Sequence, residues 1–167
     1  QTVRPQGGAA QTVGWAVTRP DGGRGFGYTG GHPMATYVDA NIRKMLCNAI
    51  LWTAKLGVPT AGVTTTNTPV EDPIRVTILT GRHHPAHDWK ATTEAIQHLT
   101  DVDKRIKLAV ITEPELLAGD VLDTTDVLLV NYCNWESATL SAESRKRFTN
   151  FVRGGGGLFL LHFANGA

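Results

Sequence analysis

The sequence predicts an α/β protein built on a mainly parallel sheet, and three observations carry that prediction. Four apolar runs alternate with segments of helical pattern after residue 73: Arg75 to Thr80, Ile106 to Ile111, Asp126 to Asn131 and Leu158 to His162. The runs are apolar throughout rather than alternating, the mark of strands buried on both faces by helices. The last of them ends in a polar residue followed by small ones, a pattern that reads as a buried strand entering a sharp turn. The carboxyl ends of such strands are where α/β proteins bind ligands.

The elements follow in order. Thr12 to Thr18 and Arg24 to Thr29 read as strands joined by Arg19 to Gly23, whose Pro-Asp-Gly core is a turn signal, so a hairpin opens the chain. A helix follows from about Asp39, with Ile42, Met45, Ala49, Trp52 and Leu56 on one face, and Gly57 and Pro59 end it. Residues 58–73 carry three prolines and a threonine run with no period, which predicts an extended, solvated connector. After the strand at Arg75 to Thr80, Asp88 caps a helix through its carboxylate, with Thr92, Ala95, Ile96 and Leu99 on one face. Pro114 opens a short helix at its favoured first position. Ser141 caps a helix with the face Phe148, Phe151 and Val152, and Gly154 ends it.

Composition sets the outer limits. The chain has 167 residues, enough for one domain of ordinary size, and 41% hydrophobic content supplies a core. With 16 basic and 15 acidic residues scattered along it, the net charge of +1 argues against nucleic acid as a partner. No stretch of about 18 apolar residues exists, so no membrane-spanning helix is expected. Two cysteines do not define a disulfide framework, and Cys47, within a helical apolar pattern, reads as a core thiol. The glycine runs Gly22 to Gly27 and Gly154 to Gly157 do not open helices after strands, so no nucleotide is expected.

Histidines carry the chemical expectation. His83, His84 and His87 follow the first parallel strand, His162 ends the fourth, and both loops emerge on the carboxyl edge of the sheet. Neutral imidazoles bind zinc and related divalent ions, and a catalytic site needs about three protein ligands plus an open position. His32 follows a strand of the hairpin and joins the metal candidates His83, His84 and His87. His162, His87 and Asp88 are the catalytic candidates, with Asp88 also the helix cap. Asn131, Asn134, Trp135 and Asn165 are candidates for sugar binding through amide hydrogen bonds and ring stacking. Glu136 is a weaker acid–base candidate, and His98 reads as a surface or packing residue within a helix.

Several motifs carry a family resemblance. Val76-Thr-Ile-Leu-Thr-Gly, His87-Asp-Trp, Asp126-Val-Leu-Leu-Val-Asn-Tyr and the segment Gly154 to Ala167 resemble the amino-terminal half of a trehalose-utilisation (ThuA-like) domain. Gly14-Trp-Ala-Val-Thr-Arg-Pro, Gly23 to His32 and Asn48-Ala-Ile-Leu-Trp resemble the carboxyl-terminal half of the same domain. The order of the halves is therefore reversed: residues 1–57, the connector 58–73, then residues 74–167. Either the chain spans the junction of two tandem domains, which the connector and the truncated look of both ends favour, or it is a circular permutant.

The resemblance implies a flavodoxin-like, class I glutamine amidotransferase-like three-layer sandwich. In that superfold a nucleophilic cysteine occupies the elbow after a central strand, whereas here His162 stands there, so cysteine-dependent chemistry is not expected. The implied function is metal-assisted hydrolysis or elimination of a glucoside or 3-keto-glucoside such as a trehalose derivative, with zinc or manganese as cofactor and a small sugar as partner. A non-catalytic carbohydrate-binding or interaction module of a larger protein is the competing expectation. The remainder of a larger protein or a second copy of the chain completes the list of expected partners.

Overall fold

In the computed structural model, which describes residues 2–3, 7–32, 34–64, 70–101, 103–132 and 140–165, two short strands β1 (Thr2–Val3) and β2 (Gln11–Thr12) pair antiparallel. The expected hairpin follows as β3 (Gly14–Thr18) and β4 (Arg24–Tyr28). Its turn closes with the Gly22 N–H donating to the Arg19 carbonyl at 2.9 Å and the Gly23 N–H donating to Asp21 Oδ1 at 2.8 Å. The Arg19 guanidinium then donates to the carbonyls of Val152 and Gly156, at 2.8 and 3.0 Å, and pins this turn to the distant carboxyl-terminal part of the chain.

α1 (Ala40–Thr53) starts at Asp39, whose carboxylate accepts the Asn41 and Ile42 N–H groups. The buried arc of α1 is Leu46, Cys47, Ala49, Ile50, Leu51 and Thr53, wider than and rotated from the predicted face. Ile42 and Met45 are only partly buried and Leu56, beyond the helix end, is 45% exposed. β4, the last strand Gly157–Leu161 and the 3-10 turn Met34–Val38 that precedes the helix pack on α1, so a single stripe underestimates what it must bury. The connector is not uniformly solvated either. Val63 joins the core, and its N–H donates to Asn48 Oδ1 at 2.9 Å.

The remaining elements alternate: β5 (Ile74–Leu79), α2 (Trp89–Asp101), β6 (Ile106–Ile111), β7 (Val127–Val130), α3 (Ala142–Arg153) and β8 (Gly157–Leu161). Pro114 opens a 3-10 turn over Pro114–Ala118. At the end of α3 the left-handed residue is Gly155, φ +89°, while Gly154 keeps φ −72°. Gly155, rather than Gly154, therefore takes the position that favours glycine.

Six strands form one sheet in the order β3-β4-β8-β7-β5-β6, parallel throughout except for the β3–β4 hairpin. Read from β6 to β4, with β5 as first strand, this is the 2-1-3-4-5 order of a flavodoxin-like sheet. The fifth position is filled by β4, from the amino-terminal part of the chain, which pairs with β8 from Gly25 opposite Leu158 to Tyr28 opposite Leu161.

The strand residues divide by alternation into two cores, giving three layers. Val76, Ile78, Val127, Leu129, Phe159 and Leu161 face the core shared with α1 and α2. Leu79 and Leu128 face the other, with Leu117, Leu122 and the flanking Phe148 and Phe151 of α3. β6 departs from the expected two-sided burial because it is an edge strand, with Ala109 and Val110 exposed. Among the described residues no helix is long and apolar enough to cross a membrane.

Candidate metal centre

The carboxyl ends of β4, β5, β7 and β8 open on one rim, and histidines from three of the four loops meet there. His32 follows β4, His87 lies in the loop after β5, and His162 follows β8 directly. One potential ligand atom from each lies within 4.8 Å of the others. The ring centroids stand 4.7 Å apart for His32 and His87, 5.0 Å for His87 and His162, and 5.4 Å for His32 and His162.

His162 is held by its backbone and by a hydrogen bond. Its φ of +52° is left-handed, a conformation that a non-glycine residue keeps only where the surroundings impose it. This is the sharp turn expected after the apolar run. Its Nδ1 lies 3.0 Å from the Thr29 carbonyl oxygen. A carbonyl only accepts, so Nδ1 carries the proton and the Nε2 lone pair is the one available for a cation. Such a carbonyl partner is what orients a metal-ligating imidazole. Thr29 belongs to the segment after β4, so residues from opposite parts of the sequence fix the orientation of one potential ligand.

The loop after β5 selects one histidine from three. The His87 N–H donates to the His84 carbonyl at 2.8 Å, closing a tight turn. The same turn directs His84 Nδ1 to accept the Ala86 N–H at 3.1 Å. Neutral His84 therefore spends one nitrogen as acceptor and protonates the other, which leaves no lone pair for a metal in this arrangement. Its ring packs 5.0 Å from that of His87. His83 is exposed and His98 lies on α2; neither belongs to the three-histidine group.

The charge state suits a cation. Burial, reinforced by His162, His32 and His84, lowers His87 from 6.5 to about 4. His162 is also lowered, first by burial, with the Thr29 carbonyl opposing. Both imidazoles are neutral near pH 7 and bind metal with little proton release. The fit is close in distance as well. Nitrogens about 2.0–2.1 Å from a tetrahedral zinc stand about 3.4 Å apart, so rings whose ligand atoms lie within 4.8 Å must close by little more than an ångström. Off-rotamer adjustments of that kind cost about 0.5–1.5 kcal/mol each, small beside the roughly 10–16 kcal/mol of structural zinc binding.

The depressed values give a pH dependence with a definite sign. The unfolded chain, with an ordinary His87, takes up a proton from about pH 6.5 downward that the folded His87 refuses until about 4. The contribution of the neutral site is whole above about 6.5, is lost as the pH falls through that window, and changes no further below about 4. Calorimetry in the presence of a chelator should show the melting temperature falling across this range, and His87→Gln should flatten part of the fall.

A cavity of about 230 Å³ adjoins the three imidazoles, and Gly31, Arg82, Ala86, Asp88, Trp89, Thr92 and Asn131 complete its wall. Asp88 caps α2 as expected, Oδ1 accepting the Ala91 N–H at 3.0 Å, and its second oxygen remains as an acceptor beside the cavity. Asn131 lies in the wall, at the end of β7. Asn134, Trp135 and Glu136 fall outside the described residues, as does the side chain of Asn165. Arg82, Trp89 and Thr92 are wall residues to which sequence reasoning gave no site role, Thr92 being read as part of a helix face and Trp89 only as part of the His87-Asp-Trp motif. The available signal was their place beside Gly81 and Asp88, at the end of a buried strand.

Gly31 is the backbone condition for His32. It adopts φ +106°, and a Cβ there would stand 2.6 Å from Tyr37 Oη. Gly31→Ala should destabilise the fold by roughly 1–3 kcal/mol and, by displacing His32, weaken zinc binding; thermal melts with and without zinc measure both.

A larger groove of about 900 Å³ lies elsewhere, between α1 and α2, with Val38, Cys47, Val63 and Leu99 among its lining residues. It contains no grouping of metal-ligand atoms among the described residues. Cys47 is buried there, which pushes its thiol up to about 11 and makes it inert as a nucleophile. Comparisons of the chain with protein-family models, with curated proteins and with solved structures found no match.

Proposed function

We propose that this chain is a metal-dependent enzyme domain of carbohydrate catabolism that processes a glucoside or 3-keto-glucoside, such as a trehalose derivative, by hydrolysis or elimination. The observation that carries the proposal is the convergence of His32, His87 and His162 beside a cavity at the carboxyl rim of the sheet. Three imidazoles and an adjoining open space match the donor set of a catalytic zinc site, in which one position is left for substrate or water. The sugar assignment rests on the sequence resemblance to trehalose-utilisation domains.

When bound, a divalent ion supplies Lewis acidity toward a carbonyl or water. The chain supplies the rest. His162, oriented by the Thr29 carbonyl, and His87, kept neutral by burial, offer lone pairs at neutral pH. Asp88 presents one carboxylate oxygen to the cavity while the other is tied to the start of α2, which holds it in place as an acid or base. In an elimination it would accept the proton from the carbon beside the keto group as the bond from the anomeric carbon to the glycosidic oxygen breaks, and the departing oxygen would take a proton from water. The Asn131 amide can donate to sugar hydroxyls, and the Trp89 indole offers an apolar surface for a ring face.

Zinc- or manganese-loaded protein, incubated with a 3-keto-glucoside, should release the aglycone sugar, and a chelator should stop the release. Asp88→Asn preserves the helix cap and should slow turnover by roughly 100-fold or more. A folded, metal-loaded chain that releases no sugar from ordinary or keto-glucosides would defeat the enzymatic reading.

A further inference from the structure

One edge of the sheet carries the chemistry of a self-complementary contact. β6 has a strand on one side only among the described residues, the parallel ladder with β5 from Ile74 opposite Ile106 to Leu79 opposite Ile111. The Ile74 N–H donates to the Arg105 carbonyl and the Thr80 N–H to the Ile111 carbonyl, so the odd-numbered residues of β6 turn their backbone groups toward β5. By alternation Leu108 and Val110 aim theirs outward, and such a row is a template for another strand. Side chains at this edge are exposed on both faces. Ala109 lies on one and Val110, 38% exposed, on the other, with Leu116, 50% exposed, on the turn that follows. The opposite edge, β3, carries no charged residue that could fix a register.

Charge selects the partner. Lys107 and Glu113 are exposed, and neither has an ion-pair partner among the described residues. Glu113 continues the extended backbone, with φ −110° and ψ 116°. Two copies of β6 related by a twofold axis run antiparallel. Outward groups must then meet outward groups, so the axis passes through a residue rather than between two. An axis at Val110 sets Lys107 opposite the Glu113 of the other copy at both ends of the contact, with each Ala109 opposite Ile111. An axis at Leu108 would instead oppose Glu113 with Asp103, a like charge. At Ala109 it would oppose Glu113 with Arg105, whose guanidinium already holds Asp103 at 2.6 Å. An exposed lysine on an edge ordinarily discourages pairing. A copy that brings its own carboxylate opposite removes that barrier.

We infer that β6 is the surface on which a second copy of this chain docks, antiparallel about Val110, so that the six-stranded sheets of two copies become one continuous sheet. The inference is independent of the metal centre. Antiparallel docking turns the two histidine-bearing rims in opposite directions.

Sedimentation velocity over a concentration series tests this, in chelator so that no metal bridges two copies. The parent should pass from monomer to dimer between about 1 μM and about 1 mM. Lys107→Glu and Glu113→Lys each set like charges opposite at both ends of the contact, and each should weaken association at least about tenfold. The double variant, Lys107→Glu with Glu113→Lys, should restore it to within about threefold of the parent. Val110→Pro removes an outward N–H without touching the ladder to β5 and should abolish the dimer. Circular dichroism matching the parent establishes that each variant is folded. A chain that stays monomeric up to about 1 mM, a dimer that either single charge variant leaves unchanged, a double variant that fails to restore association, or a folded Val110→Pro that still dimerises overturns the inference.

Discussion

Replacing His87 with alanine should lower zinc affinity by more than roughly 100-fold, the upper end of what loss of a supporting residue around a metal ligand costs. His87 is the middle member of the cluster, with ring neighbours at 4.7, 5.0 and 5.0 Å in His32, His162 and His84. Removing it leaves two imidazoles, His32 and His162, whose loops are joined by the sheet and by the His162–Thr29 hydrogen bond. His87 is half-exposed and outside both apolar cores, so the variant should fold, and its far-ultraviolet circular dichroism should match the parent. Competition with a chromophoric chelator measures the affinity, with His98→Ala as the control on α2. Affinity within about threefold of the parent, a difference worth less than 1 kcal/mol, would contradict the role given to His87.

Phe159→Ala should destabilise the protein by roughly 3–5 kcal/mol. Phe159 is 0% exposed at the centre of β8 and meets Phe26 edge-to-face, with ring centroids 5.1 Å apart and an interplanar angle of 82°. That contact joins the amino-terminal hairpin to the carboxyl-terminal strand, where β4 and β8 pair in parallel. For a domain of this size the loss corresponds to a melting temperature lower by roughly 6–20 °C. Because His32 and His162 extend from these two strands, the variant should also lose zinc affinity even where it remains folded. A shift of only a degree or two would mean that the hairpin does not pack on β8 as described.

The fold was legible because its local signals agree with one another. Pro20-Asp21-Gly22 closes a tight turn, Asp39, Asp88 and Ser141 each accept the first free N–H groups of a helix, and the mainly apolar runs form the strands. Failures came where tertiary surroundings override local pattern. The burial of Val63 within a proline- and threonine-rich connector depends on Asn48 of α1, 15 residues away, which no local composition reports. The wide buried arc of α1 follows from the 3-10 turn Met34–Val38 packing on it beside the sheet, which the periodicity of α1 does not report. Gly155 rather than Gly154 takes the left-handed position because α3 runs to Arg153 with Gly154 as its cap, one residue further than a left-handed Gly154 would allow.

The site was legible in its ingredients and less so in its membership. That histidines after separate strands share a rim follows from parallel topology alone. Which of His83, His84 and His87 faces inward depends on a two-residue turn in which the His87 N–H meets the His84 carbonyl, and sequence spacing does not encode it. His162 reads equally as a base or as a ligand until Thr29 is found beside Nδ1. That contact spans 133 positions and exists because β4 lies next to β8.

Zinc K-edge X-ray absorption on the loaded protein probes the centre most directly. Three imidazole nitrogens at about 2.0–2.1 Å plus one oxygen scatterer without an imidazole ring are expected, with one imidazole lost in each of His32→Ala, His87→Ala and His162→Ala. A sulfur scatterer at about 2.3 Å, or a shell that none of these substitutions alters, would contradict the assignment of these three histidines.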